Sequence, residues 1–222
     1  QRINELETHQ KLSATEGVLK GEEQERTRMS RDLHDGLGSL LSGIKFSFQN
    51  IKRNVAMTPE NARAFNRSLD MLDSSIYELR RVAHNMMPEA LMKFGLDPAL
   101  KDFCNDINQT GILHVTYQSI GLEDAKIDQT IAITIYRIVQ ELINNTLKHA
   151  AAKQAIVQVT KSNHLLTVTV EDDGRGFDTA VISNASGKGW INIKHRVDFL
   201  KGNIDLHSEI GKGTSVLIEL NI

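Results

Sequence analysis

The sequence predicts two modules: an antiparallel helical hairpin that dimerises into a four-helix bundle, followed by an α/β sandwich whose mixed sheet carries helices on one face. Three observations predict it. Apolar residues recur at three- and four-residue steps through two stretches before residue 88. Beyond residue 112 the period changes, and short alternating segments flank longer helical ones. Hydrophobic residues make up 40% and charged residues 24% of the 222 positions, as in a globular chain with room for two modest domains.

Composition also excludes several classes. A formal net charge of -2 gives no electrostatic basis for nucleic-acid binding. The single cysteine, Cys104, leaves no intrachain disulfide, and no Cys/His spacing resembles a metal site. Cys104 reads as a small buried hydrophobe. No apolar run approaches the ~18 residues of a membrane span, and no signal peptide is visible. The chain opens at Gln1 inside a polar helical pattern, so a cytoplasmic fragment is expected, with membrane attachment only through a region upstream of it.

Taken in order, residues 1–24 read as a helical or coiled-coil linker with a sparse seam of Ile3, Leu6, Leu12, Val18 and Leu19. Gly17 and Gly21 weaken it, because glycine costs roughly 1 kcal/mol inside a helix. Residues 25–88 hold the hairpin. Its first stripe is Leu33, Leu37, Leu40, Leu41, Ile44, Phe48, Ile51 and Val55, and its second runs from Phe65 through Leu72 and Ile76 to Met86. Thr58 and Pro59 mark the second helix start as N-cap and first residue, and Pro88 stops it. Each stripe needs more neighbours than one partner helix supplies. Dimerisation meets that need; packing of the hairpin on the C-terminal half is the plainer alternative. Residues 89–222 form the sandwich. Short helical pieces are expected up to residue 111. Strands are expected at 113–120, 154–160, 165–170, 203–207 and 214–220, and helices at 128–149 and 190–200.

Four constellations carry candidate chemistry. Glu141 and Asn145 lie four apart on a helix, so their oxygens share one face and suit a hard Mg²⁺ ion. Lys148 lies near the same edge, where a phosphate would sit. The alternative is an ordinary solvated helix face. Next, a predicted strand ends in Asp172, followed by Gly174 and Gly176. Asp172 is placed to accept a hydrogen bond from a ligand amino group, and the glycines let backbone approach a flat ring; a tight turn is the alternative. Gly187 and Gly189 precede a helix start, where backbone N–H groups bind phosphates. The Ser-, Asn- and Gly-containing stretch before them reads as a mobile lid. Gly211-Lys212-Gly213 reads as a hairpin turn that sets Thr214 within reach of the ligand of Asp172.

In this order and spacing, the four segments resemble the Bergerat-type ATP-binding domain shared by histidine kinases, type II topoisomerases and Hsp90-like chaperones (the GHKL ATPases). The resemblance covers about residues 90–222. Glu141 to His149 match its N box, Asp172 to Gly176 its first glycine box, and Gly187 to Gly189 and Gly211 to Thr214 its later boxes. It implies that Asn145 coordinates Mg²⁺ beside Glu141 and that Asp172 reads the adenine amino group of ATP. It also implies that a glycine-rich lid closes on the triphosphate. His149 belongs to the N box and would help position a phosphate. The N-terminal half adds Arg28 to Leu41, which resembles the H box of nitrate-sensor-type sensor histidine kinases, with His34 to Gly38 reproducing their His-Asp-x-Leu-Gly pattern.

A neutral imidazole at His34 is a good nucleophile near pH 7, and Asp35 is placed to accept its other ring N–H and stabilise the imidazolium. The resemblance implies autophosphorylation of His34, then transfer to an aspartate of a response-regulator receiver domain. Kinases of this class often carry Gln five residues after the histidine, where it helps dephosphorylate the regulator. Here Ser39 stands there, and a hydroxyl lacks the amide's paired donor and acceptor, so weak or altered phosphatase activity is expected. Two other readings use the same ATP fold: an anti-sigma-type switch protein, and a dimeric scaffold that no longer transfers phosphate. The hairpin carrying His-Asp argues against the first, and the retained Asn145, Asp172 and glycines against the second.

Overall fold

The computed structural model describes residues 17–18, 20–87, 89–123, 125–179 and 188–222; the side chains of His34, Arg80, Arg81, His84, Asn85, Glu89 and Lys188 lie outside the description. The described chain divides into two compact units, one ending at Glu89 and the other running from Ala90 to Ile222. Among the described residues no helix is long and apolar enough to cross a membrane.

In the first unit, residues 20–31 form helix α1. Exposed pairs one turn apart, Arg26 with Glu22 and Arg28 with Glu25, line it and contribute a few tenths of a kcal/mol each. The helix then widens into a π turn over Asp32–Leu37, where the Gly38 N–H bonds to the Leu33 carbonyl five residues back. The sequence pattern predicted an uninterrupted helix here. Gly36 and Gly38 supply the backbone freedom that makes the wider turn tolerable. Helix α2 (Gly38–Asn54) follows, and Val55 ends it in extended geometry. Helix α3 (Pro59–Met86) starts as predicted, with Thr58 Oγ1 accepting from the Asn61 N–H at 3.2 Å and Pro59 at the first position.

The hairpin closes on few contacts. Buried Ser30 donates to the Ala83 carbonyl at 2.8 Å, tying α1 to α3. Lys45 pairs with Asp73 at 2.5 Å, and Phe48 meets Phe65 edge-on with centroids 5.8 Å apart. Of the first apolar stripe only Leu33 and Leu41 are half-buried. Leu37, Leu40, Ile44, Phe48, Ile51 and Val55 stay exposed, Leu40 by 60%. One hairpin therefore leaves most of its own seam in water.

The second unit begins with α4 (Glu89–Phe94) and α5 (Leu96–Gln109), divided by Gly95 at φ +87°. The sequence suggested short pieces here, yet α5 is a full helix. Pro98 falls at its third position, where no intrahelical N–H partner is required. The Asn108 amide holds α5 to strand β1 (His114–Ile120), accepting from the Val115 N–H at 2.6 Å and donating to its carbonyl at 2.9 Å. Asp128 caps α6 (Gln129–Asn145), and a second π turn spans Thr146–Ala150, ended by Ala151 at φ +52°. The sequence had predicted one continuous helix to His149. Then come β2 (Gln154–Ser162), β3 (Leu165–Asp172), α7 (Lys188–Phe199), β4 (Asn203–Glu209) and β5 (Gly213–Asn221).

The five strands lie in the order β1-β2-β3-β5-β4, with β1 and β2 parallel and the other pairs antiparallel. Alternation assigns the faces. Val157, Val159, Val168, Val170, Val216 and Ile218 are buried, and they pack with Leu100 and Phe103 of α5, Ile135 and Val139 of α6 and Ile193 and Val197 of α7. The opposite face carries Gln118, Gln158, Thr167 and Thr169, polar and wetter. This is the expected one-sided sandwich. Cys104 lies in its core, 1% exposed, and burial pushes its thiol up to about 12, so it is an inert hydrophobe.

Candidate functional site

Glu141, Asn145, Asp172, Gly174 and Gly189 of the predicted constellations come together where α6 ends beside the end of the central strand β3. The α6 helix presents Glu141 and Asn145 one turn apart, both half-buried. The first residue of the π turn, Thr146, is 5% exposed, and its Oγ1 donates to Asp172 Oδ2 at 3.1 Å. That bond joins the helix carrying Asn145 to the end of β3. The other Asp172 oxygen, Oδ1, accepts from the Gly174 N–H at 2.9 Å.

Two glycines are fixed by contact, and a third lies against a side-chain end. A Cβ on Gly174 would fall 2.6 Å from both Ala150 Cβ and the Ala150 carbonyl oxygen. The loop is seated there by the Arg175 N–H, which donates to that same carbonyl at 2.8 Å. Gly176 has φ +57° and lies against the Glu209 carbonyl, so both conformation and space require glycine. At the start of α7, a Cβ on Gly189 would fall 2.5 Å from Glu141 Oε1 and 3.6 Å from Asn145 Oδ1. The face of α6 bearing Glu141 and Asn145 and the start of α7 are therefore immediate neighbours.

Thr214 sits directly across the ladder from Asp172. Its hydroxyl lies 3.0 Å from Ser208 Oγ, which also donates to the Gly213 carbonyl and accepts from the Phe177 N–H, each at 3.0 Å. Lys148 and His149 lie exposed on the π turn. Gly187 and the lid stretch 180–187 lie outside the described residues, as does the imidazole of His34. The His34 backbone falls inside the π turn Asp32–Leu37, with exposed Asp35 following it.

Sequence reasoning missed three contributors. Thr146 and Ser208 act through bonds to residues 26 and 31 positions away, which no local pattern signals. Asp173 is the third. The sequence offers two adjacent acids, and the structure separates their jobs. Asp173 Oδ1 accepts from the Lys153 and Gln154 N–H groups at 2.8 and 2.9 Å, closing the loop before β2. Those backbone bonds hold its carboxyl below the ordinary value of 3.8.

A one-sided mixed sheet with an acid at the end of its central strand, a helix bearing Glu and Asn beside it, and glycines packed close around both are features of a GHKL-type nucleotide-binding module. Comparison with known proteins agrees. Residues 130–222 match the family "Histidine kinase-, DNA gyrase B-, and HSP90-like ATPase", and residues 25–91 match the family "Histidine kinase", the nitrate-sensor-type class. The chain belongs to the histidine kinase family.

Among its relatives is the signal transduction histidine-protein kinase/phosphatase DegS of Brevibacillus brevis, 28% identical over 92% of this chain and 53% of DegS. Another is the sensor histidine kinase MctS of Rhizobium johnstonii, 30% identical over 87% of this chain and 42% of MctS. The chain thus spans about half the length of these relatives. The histidine kinase domain of the Erythrobacter litoralis blue-light activated histidine kinase shares the fold, with a TM-score of 0.51 at 19% identity over 90% of this chain and 93% of that one.

Proposed function

We propose that this chain binds ATP where the end of α6 meets the end of β3 and transfers its γ-phosphoryl group to His34, for onward transfer to an aspartate of a response-regulator receiver domain. The observation that carries the reading is the Thr146–Asp172 bond together with the seat of Gly189 against Glu141 and Asn145. It gathers three motifs, far apart in sequence, around one space. Asp172 would accept the adenine amino group, with Thr214 opposite it on β5 and Gly174 and Gly176 letting the loop after β3 pack closely against Ala150 and Glu209. Gly187, Gly189, Lys148 and His149 would meet the phosphates.

The donor set fits a magnesium ion. Glu141 and Asn145 turn their side-chain oxygens to the same side of α6, toward the start of α7, and Mg²⁺ takes few protein oxygens beside phosphates and water. Asn145 would hold it with Glu141 alongside, and a bound ion supplies positive charge against the triphosphate. Among the described residues there is no cluster of three His, Cys, Asp or Glu, which a site of this kind does not need.

At the acceptor, the lone pair of one His34 ring nitrogen attacks the γ-phosphorus. An N–P bond forms, the bond from phosphorus to the β-bridging oxygen breaks, and ADP leaves. Asp35 receives the hydrogen bond of the other ring nitrogen and stabilises the cation as it forms. The exposed hairpin seam supports a homodimer, because a second copy's equivalent face would cover Leu37, Leu40, Ile44 and Ile51.

Incubation with γ-labelled ATP tests the reading. It predicts Mg²⁺-dependent label that is acid-labile and alkali-stable and absent from His34→Ala. Label that survives in His34→Ala rejects His34 as acceptor.

A further inference from the structure

Thr146, we infer, is a positioning residue that sets nucleotide specificity: its hydroxyl holds the Asp172 carboxylate in one orientation, so that its acceptor lone pairs meet a purine bearing an amino group and oppose one bearing a carbonyl in that place. The inference deepens the reading of Asp172 as the adenine-binding acid and rests on it.

The chemistry follows from counting protons. Thr146 is buried and has one hydroxyl hydrogen and two acceptors in range, Asp172 Oδ2 at 3.1 Å and the Leu142 carbonyl at 3.2 Å. The Leu142 carbonyl is already served by the Thr146 backbone N–H, which bonds to it at the end of α6. The hydroxyl proton is therefore free to go to the carboxylate, the stronger acceptor. On the other oxygen the Gly174 N–H can only donate. Both carboxylate oxygens thus receive a proton donor from the protein, and their orientation is fixed by two elements that do not share a loop. Each keeps lone-pair capacity, and none of it donates. A ligand amino group finds an acceptor there. A ligand carbonyl finds only another acceptor, and its lone pairs are left facing oxygen in a half-buried site.

Thr146 owes its aim to the backbone as well. It is the first residue of the π turn Thr146–Ala150. The same turn carries Ala150, whose carbonyl seats the Arg175 N–H. The turn therefore grips the Asp172–Arg175 segment at both ends, by a side chain at its start and by backbone at its close.

The experiment measures binding of ADP and of inosine diphosphate, whose base carries a carbonyl in place of the amino group and an N–H in place of the adjacent ring-nitrogen acceptor, to the full chain by calorimetry. Thr146→Val keeps the shape and removes the proton; Thr146→Ser keeps the proton. The inference predicts that Thr146→Val binds ADP roughly tenfold more weakly and narrows its preference for ADP over inosine diphosphate by a similar factor, while Thr146→Ser retains both. Should the valine variant not fold, Thr146→Ala is read by the same criteria. Wild-type affinity and preference in the hydroxyl-free variant overturn the inference, as does a serine variant as weak as valine. Asp172→Asn separates the two layers. If it leaves ADP binding untouched, the reading of Asp172 fails; if it weakens ADP binding while Thr146→Val does not, only the role of Thr146 fails.

Discussion

Gly189 has no room for a methyl group. The nearest atom is the far end of the flexible Glu141 side chain, so a Gly189→Ala variant displaces that carboxylate and leaves the backbone in place. We expect Mg²⁺-dependent labelling to fall about tenfold, equivalent to about 1.4 kcal/mol, with little change in thermal stability; an unfolded variant, or one labelled as fast as wild type, contradicts the placement. Asp173 makes a pH prediction. Its folded carboxyl titrates below 3.8 because backbone N–H groups bond to its charged form. Its stabilising contribution is therefore complete above that ordinary value and is lost as pH falls through the lower folded one. In acid-unfolding curves the gap between wild type and Asp173→Ala should be open at pH 6 and close as the pH drops below about 3.8. A gap that widens on acidification reverses the sign. At this scale Asp172, Asn145 and the glycines stood out as candidates, because they sit in local patterns. Thr146 and Ser208 were not, since what matters is a bond across 26 or 31 positions.

The two π turns are the main surprise at the level of elements. Each falls on a motif, one around His34 and one at the end of the N box. Periodicity cannot announce them. A π turn changes which carbonyl a given N–H reaches, yet leaves the apolar positions on either side in register with their own helices. In effect one residue is inserted into a helix whose flanks are already seated. At the hairpin those flanks are held by the Ser30 bond to Ala83 on one side and by the α2–α3 contacts on the other. Deleting Gly36 should therefore restore an α-helix without unseating either flank, while residues inside the turn change facing by up to about 100°. The expected result is preserved helicity by circular dichroism and a loss of His34 labelling of tenfold or more. Retained labelling would show that the turn does not govern how the histidine is presented. The strands, by contrast, were read from alternation to within two residues, because one buried and one wet face leave a clear period.

At the scale of the whole molecule, the sequence conveyed two modules and their order. It also conveyed that one hairpin cannot satisfy its own apolar stripe, and the exposure of Leu37, Leu40, Ile44 and Ile51 agrees with that argument. A second copy is the occupant the reading requires. Ile44→Glu places a charge in the centre of that face, where like charges from two copies would meet without water. Light scattering after gel filtration should show wild type at twice the chain mass and the variant at the chain mass; a variant that stays dimeric moves the interface elsewhere.

The central claim is that a nucleotide held beside Asp172 gives its terminal phosphoryl group to one imidazole. Peptide mapping under alkaline conditions, after incubation of the intact chain with Mg²⁺ and ATP, reads the position of the new phosphorus–nitrogen bond. The account predicts the phosphoryl group on His34 alone. A modified peptide that excludes residue 34 would contradict it.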